Sequence, residues 1–156
     1  TAASSAYATT TTLTSYALGA RFVAEPTLFM DADILFEPES FAGFLDACTQ
    51  APLVGYTRAR TADAVFAHLD GDTITGFSRT EAAPFEWANL AYLPPAYCET
   101  GEGSVYGRLT ADLPLPARFV DSYEVDRPAD LELAERDYVG VPHQRSGSPA
   151  EVPVLV

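Results

Sequence analysis

The chain has 156 residues, 47% of them hydrophobic and 20% charged, a balance typical of one folded domain and not of a disordered chain. Its 22 acidic residues outnumber 9 basic ones, all arginine, giving a formal net charge of −13. A field of that sign repels nucleic acid and anionic membranes, so we expect neither as a partner, and no apolar run is long enough to span a bilayer. Two isolated cysteines, Cys48 and Cys98, suggest neither a metal site nor a disulfide framework and predict a cytoplasmic protein.

In chain order, apolar residues recur at helical spacing over 12–24, which predicts a helix that Pro26 stops. The apolar run Thr27–Met30 then predicts a strand buried on both faces of a parallel sheet. Glu37 and Pro38 are typical of the first turn of a helix.

Further along, the sequence predicts a strand at 53–56 and a hairpin around Asp70 and Gly71. A strand over 86–93, a helix near 98–110 and a strand over 119–125 follow. The last predicted element is a helix that begins at Pro128, with Asp126 or Arg127 before it.

This alternation of strands and helices predicts an α/β fold with a mixed, mostly parallel sheet flanked by helices. The predicted domain covers residues 1–138. Residues 139–156 contain few long side chains and are predicted to be a flexible tail or linker.

Two acidic segments are candidates for chemistry. Asp31 and Asp33 follow a predicted strand, and ligands of open α/β sheets bind at the carboxyl ends of strands. Mg²⁺ prefers one or two carboxylates together with water and phosphate oxygens. The alternative is that these acids cap a turn and the next helix. The second segment, 123–131, contains Asp126, which by itself predicts only the cap of a helix.

Together these segments resemble the sugar-phosphate and choline-phosphate nucleotidyltransferases, which share the fold of molybdenum-cofactor guanylyltransferases. Residues 28–37 are similar to the family's block of a strand, D-x-D, an apolar residue and F-x-P. Residues 123–136 are similar to its closing segment E-V-D-x-P-x-D-L-x-x-A, and the segment that begins at Tyr7 is similar to Y-x-x-x-N-N-x-x-S-L. The resemblance extends from Tyr7 to about Tyr138 and implies a Rossmann-like nucleotidyltransferase fold.

The resemblance also implies roles for particular residues. Asp33 and Asp126 would jointly bind the catalytic Mg²⁺, and Asp31 and Ser15 would contact substrate. By the same resemblance, Glu86 and Trp87 lie near the acceptor pocket, where an aromatic ring beside a carboxylate could hold a cationic acceptor such as phosphocholine. The alternative for Trp87 is packing in a core strand.

The sequence departs from the family in one important respect. The family opens with a strand and a G-x-G-x-R loop followed by a lysine, which cradle the nucleotide phosphates, and none of these is present here. Thr11 and Thr12 stand in place of the paired asparagines. We therefore expect the chain to lack the first βα units, on the order of 60 residues at ~30 residues per βαβ unit. A sheet left open at one edge would make it associate with copies of itself.

The implied activity is Mg²⁺-dependent nucleotidyl transfer. A phosphate oxygen of the acceptor, a sugar 1-phosphate or phosphocholine, attacks the α-phosphorus of a nucleoside triphosphate and pyrophosphate leaves. We expect this chain alone to be an inactive portion of such an enzyme. Two alternatives stay open: a metal-dependent glycosyltransferase, which also ends a strand in D-x-D, and a non-catalytic degenerate domain. The closing segment argues against the first, whereas the absent glycine-rich loop favours the second.

Overall fold

The computed structural model describes residues 11–60, 64–99 and 102–138. Within them the chain forms four α-helices and one 3₁₀ helix at Pro95–Cys98; the α-helices are α1 (Thr12–Ala20), α2 (Pro38–Ala47), α3 (Val105–Thr110) and α4 (Pro128–Asp137). The strands are β1 (Thr27–Met30), β2 (Ile34–Phe36), β3 (Leu53–Arg58), β4 (Phe66–Asp70), β5 (Thr73–Ser78), β6 (Phe85–Leu93), β7 (Leu115–Phe119) and β8 (Ser122–Glu124). No described helix has both the length and the apolar character needed to cross a membrane.

Local signals set where α2 and α4 begin. At α2 the Glu37 carboxylate accepts hydrogen bonds from the backbone N–H groups of Glu39 and Ser40, which have no partner inside the helix. At α4 the Asp130 carboxylate accepts from the Arg127 N–H at 2.9 Å. The residue that caps α4 is therefore Arg127 and not Asp126.

The larger sheet closes on itself. Its strand order is β1-β6-β3-β7-β5-β4, and β4 also pairs with β6. Five strands thus form a ring of pairings, and β1 lies outside the ring along β6. The strands β2 and β8 form a separate antiparallel pair.

The sheet is mixed, as the sequence predicts, but the prediction that it is mostly parallel is wrong. Among the described strands only β3 and β7 run parallel, and the other pairings are antiparallel. The apolar run of β1 reflects coverage on both faces: Phe29 packs in one core cluster and Leu28 against another. Burial of this kind does not determine the direction of the neighbouring strand, and β6 runs antiparallel to β1.

Two hydrophobic clusters fill the core. The larger one joins α1 and α3 to the strands of the ring, with Leu13, Ile74 and Leu109 almost fully buried. The smaller one holds α2 to the sheet through Phe44. These clusters fix the positions of α1 and β6, which both contribute to the cleft described below.

Several boundaries differ from the prediction. Helix α1 ends at Ala20 and not at residue 24, and the predicted helix at 98–110 is only α3, after the short 3₁₀ helix. The predicted strand over 119–125 is two strands of different sheets, because the chain leaves the ring at Val120, whose N–H donates to the Tyr56 carbonyl. The predicted tail at 139–156 lies outside the described residues, as do the first four residues, 7–10, of the motif that begins at Tyr7.

Candidate active site

The pairing of β2 with β8 brings the two acidic segments together. Ile34 lies opposite Glu124, and the Val125 N–H donates to the Asp33 carbonyl at 3.0 Å. Asp33 precedes β2 and Asp126 follows β8, so in an antiparallel pair both lie at the same end of this small sheet. Both residues are exposed. The structure therefore places them as neighbours, although 93 positions separate them in sequence.

Asp31 lies just beyond the end of β1, beside α1. The buried Tyr16 of α1 donates a hydrogen bond from Oη to Oδ1 of Asp31 at 3.0 Å. Burial raises the pKa of Asp31, the Tyr16 hydrogen bond opposes this, and the charges of Asp33 and Asp126 raise the pKa further. Asp31 thus belongs to the same electrostatic site as the other two acids.

Glu124, the last residue of β8, is a site residue that the sequence analysis did not single out. Burial raises its pKa to about 7, and the charges of Asp126, Asp33, Glu86 and Asp31 act in the same direction. Its Oε1 accepts a hydrogen bond from Nδ2 of Asn89 at 2.9 Å. The signal was present in sequence, because Glu124 is the first letter of the quoted E-V-D segment. Nothing in the local pattern marked Asn89.

An open cleft with a cavity volume of about 400 Å³ runs beside these acids. Four of the predicted site residues line it: Asp31, Asp126, Glu86 and Trp87. Asp33 and Ser15 are not among the lining residues; Ser15 is exposed on α1, and Asp33 acts on the site through its charge. The lining also includes Asn89, Glu124, Ser104, Tyr106 and the first residues of α1.

The cleft is acidic. Among the described residues, five carboxylates and two guanidinium groups line it, a formal charge of −3; they are Asp31, Glu86, Glu124, Asp126 and Asp130 against Arg79 and Arg127. The guanidinium of Arg79 lies 5.5 Å from the centroid of the Tyr106 ring, a cation–π arrangement that holds it beside the cleft. A polyphosphate would meet repulsion here unless cations offset the carboxylates.

Glu86 and Trp87 occupy consecutive positions of β6, and each is only 8% exposed. Trp87 belongs to the larger core cluster and also lines the cleft, so packing and pocket lining are both supported. Within the described residues, Nε1 of Trp87 has no hydrogen-bond partner. A buried indole N–H without an acceptor costs free energy.

The carboxylates fit a magnesium ion by their chemistry. No group of three or more histidine, cysteine or acidic side chains in the described residues is arranged to hold a metal ion. Mg²⁺, however, needs only one or two carboxylates and takes its other ligands from water and substrate phosphates. Burial and, after it, the charges of the neighbouring acids raise the pKa of Glu124, and a bound cation would relieve the repulsion among those charges.

Three solved structures show what this architecture is similar to. An inositol-1-phosphate CTP transferase from T. maritima aligns with 82% of this chain and 62% of its own, with a TM-score of 0.59 and 17% sequence identity. HddC from Yersinia pseudotuberculosis aligns with 82% and 62%, with a TM-score of 0.62 and 11% identity. A Bacillus anthracis protein named as a glucose-1-phosphate thymidylyltransferase, crystallised with sucrose, aligns with 83% and 61%, with a TM-score of 0.61 and 9% identity.

The chain has a nucleotidyltransferase fold. The resemblance that the sequence indicates is confirmed for the fold, since these structural neighbours include proteins named as sugar-phosphate nucleotidyltransferases. The chain spans less than two thirds of the length of each of these three proteins. No protein-family model and no curated protein matches the sequence. The assignment of the nucleotidyltransferase fold therefore rests on structural similarity, since the sequence identity to these proteins is low.

Proposed function

We propose that this chain forms the metal- and acceptor-binding part of a Mg²⁺-dependent nucleotidyltransferase that joins a nucleoside triphosphate to a phosphorylated acceptor and releases pyrophosphate. The observation that supports this most directly is the β2–β8 pairing, which assembles Asp33, Glu124 and Asp126 beside a cleft in a nucleotidyltransferase fold. The free cysteines fit a cytoplasmic setting, where nucleoside triphosphates are available.

In this proposal each side of the cleft has a separate task. Asp33 and Asp126 hold Mg²⁺, which when bound neutralises phosphate charge and orients the phosphates for in-line attack. Tyr16 keeps the Asp31 carboxylate in place through the hydrogen bond at 3.0 Å. Arg79 supplies positive charge on the side of the cleft formed with Tyr106, where the acceptor phosphate would bind. These contributions are positioning and charge stabilisation, which phosphoryl chemistry chiefly needs.

The acceptor class that we propose is a phosphorylated sugar or cyclitol. Two of the structural neighbours are named for inositol 1-phosphate and glucose 1-phosphate. The side chains of Glu86 and Asn89, which line the same cleft, offer hydrogen bonds to hydroxyl groups. Phosphocholine, the other acceptor that the resemblance implies, has no hydroxyl groups for such bonds and would contact the carboxylate of Glu86 through its quaternary ammonium group alone.

We further propose that this chain alone does not complete the reaction. A triphosphate carries about four negative charges, and at a screening length of ~8 Å only nearby groups offset them. The described cleft has a formal charge of −3, and one Mg²⁺ does not reverse that sum. Phosphate-binding amides and cations from the part of the nucleotidyltransferase fold that this chain does not span would supply the remainder.

Two measurements test the proposal. Titration of the 156-residue chain with Mn²⁺, followed by electron paramagnetic resonance, should show a site that Asp33→Asn and Asp126→Asn each weaken. Glu132→Gln, which neutralises an exposed acid of α4, is the matched control and should bind as the wild type does. Unchanged Mn²⁺ binding in both aspartate variants would remove the metal site from the proposal.

The second measurement is pyrophosphate release with Mg²⁺, each common nucleoside triphosphate, and inositol 1-phosphate, glucose 1-phosphate or phosphocholine. We expect none from this chain alone and release from a longer polypeptide that includes the rest of the fold. If the 156-residue chain turned over and Asp33→Asn abolished that turnover, the chain would be catalytically complete by itself and this part of the proposal would be wrong. Turnover with phosphocholine alone would overturn the acceptor assignment.

A further inference from the structure

Asn89 has a backbone conformation that is rare inside a strand. Its φ is +49°, the one positive φ of a non-glycine residue in the described part of the chain. It lies where the β3–β6 register shifts: Val54 lies opposite Ala91 but Tyr56 lies opposite Trp87, so four residue steps in β6 face two in β3. Irregularities of this kind redirect side chains next to active sites, and a left-handed residue persists only where its surroundings stabilise it.

The surroundings of Asn89 are the two acidic segments. Its backbone carbonyl accepts a hydrogen bond from the N–H of Asp31 at 3.2 Å. Its side-chain Nδ2 donates to Oε1 of Glu124 at 2.9 Å. Asp31 follows β1 of the large sheet, whereas Glu124 ends β8 of the small one. Asn89 therefore contacts both segments at once and lines the cleft between them.

The chemistry of the asparagine amide suits this place. An aspartate would add a sixth carboxylate to a lining that already has five. A lysine would pair with Glu124 and introduce a fixed positive charge that opposes the binding of a metal cation. A neutral amide orients the Glu124 carboxylate without changing the charge of the site, and asparagine adopts positive φ more readily than most other residues.

We propose that Asn89 is a positioning residue that sets the separation of the Asp31–Asp33 and Glu124–Asp126 segments and thereby the affinity of the site for a divalent cation. This inference rests on the Mg²⁺ site of the proposed function. It assigns to Asn89 a role through its neighbours and not as a ligand. The register shift of β6 at Asn89 then aligns carboxylates that lie next to two different sheets.

The test compares Asn89→Gly with Thr75→Gly. Glycine adopts positive φ without strain, so Asn89→Gly removes the amide while the backbone conformation stays favourable. Thr75 is exposed in β5 and does not line the cleft, so its glycine variant measures the general effect of glycine in a strand. Mn²⁺ is the probe, measured by electron paramagnetic resonance, and thermal unfolding without metal is the second readout.

We expect Asn89→Gly to weaken Mn²⁺ binding by about tenfold or more, as substitutions of residues that orient metal ligands do. Its metal-free Tm should fall no further than that of Thr75→Gly, because glycine relieves the positive φ while the hydrogen bond to Glu124 is lost. Thr75→Gly should lower the Tm and leave the Mn²⁺ Kd unchanged. In a Glu124→Ala background the effect of Asn89→Gly should shrink, because the residue acts through that carboxylate.

An unchanged Mn²⁺ Kd in Asn89→Gly, beside weakened binding in Asp33→Asn, would overturn the role of Asn89 and leave the metal site standing. Equal weakening in both glycine variants would likewise overturn it, since the loss would then follow general destabilisation. Absence of Mn²⁺ binding in the wild type would overturn the metal site itself and this inference with it.

Discussion

Replacing Glu124 by glutamine should change how the stability of the protein depends on pH. The pKa of Glu124 rises from an ordinary 4.5 to about 7 in the folded protein. Between these values the folded state holds a proton that the unfolded chain has released. The free energy of unfolding therefore falls as the pH rises through this window. The stability contributed by the proton on Glu124 is complete below about pH 4.5 and lost above about pH 7. Glutamine mimics the protonated side chain in charge and keeps an oxygen for the Asn89 amide.

The structure sets the size of the effect. At about 1.36 kcal/mol for each pH unit, the full displacement of the pKa would correspond to about 3 kcal/mol. Glu124 is only half-buried, and water screening reduces this to roughly 1–2 kcal/mol. In a chain of this length that difference corresponds to roughly 3–6 °C in Tm. Relative to Glu124→Gln, the wild type should lose this amount of stability, and the corresponding part of its Tm, between pH 5 and pH 8.

The assay is thermal unfolding followed by circular dichroism in the presence of EDTA, so that no divalent cation offsets the acids. Glu135→Gln, which removes an exposed charge on α4, is the control and should follow the pH dependence of the wild type. The same pH dependence for the wild type and Glu124→Gln would refute the reasoning, because the buried proton would then have no energetic consequence.

Three further predictions concern packing and association. Tyr16→Phe should lower the free energy of unfolding by about 1–2 kcal/mol in urea denaturation, because the Asp31 carboxylate loses its donor; an unchanged midpoint would contradict this. Phe44→Ala should lower the free energy of unfolding by about 3–5 kcal/mol in the same assay, since the ring is fully buried between α2 and the sheet. A loss below 1 kcal/mol would contradict this and would mean that neighbouring side chains fill the space that the ring leaves. The chain should self-associate in sedimentation experiments through its exposed Phe22 and Met30, and Phe22→Ser should reduce this. A monomer at all concentrations would remove that prediction.

The sequence predicts elements whose signals are local. The run that forms β1 and the proline that opens α4 each act within a few residues, and both elements occur as predicted. Two strands were missed for identifiable reasons. Strand β2 has only three residues, and β7 contains Pro116, which is disfavoured inside strands. Pro116 is tolerated because the next residue, Ala117, donates its N–H to the Asp72 carbonyl on the β5 side, so the nitrogen of Pro116 points to the opposite side, where pairing with β3 begins only at Ala117.

The direction of strands and the contacts of the site depend on distant parts of the chain. The register that places β6 between β1 and β3 is not encoded in any short pattern. Motif resemblance indicates Asp31, Asp33 and Asp126, but the donors that hold the carboxylates of Asp31 and Glu124 lie in distant parts of the chain. Tyr16 is 15 positions from Asp31, and Asn89 is 35 positions from Glu124. Such partners become visible only when the strands are arranged.

The small sheet of β2 and β8 has a consequence for the dynamics of the protein. It consists of three residue pairs and is held to α4 by the Tyr138 hydroxyl, which donates to the Phe36 carbonyl at 2.8 Å, and by the Tyr123 hydroxyl, which donates to the Asp137 carbonyl at 3.3 Å. Because a ladder this short holds few hydrogen bonds, we expect the β2–β8 pair to open at a smaller free energy cost than the ring of five strands. Hydrogen exchange at the Val125 amide would then be faster than in β3 or β6, and a bound cation would slow it selectively.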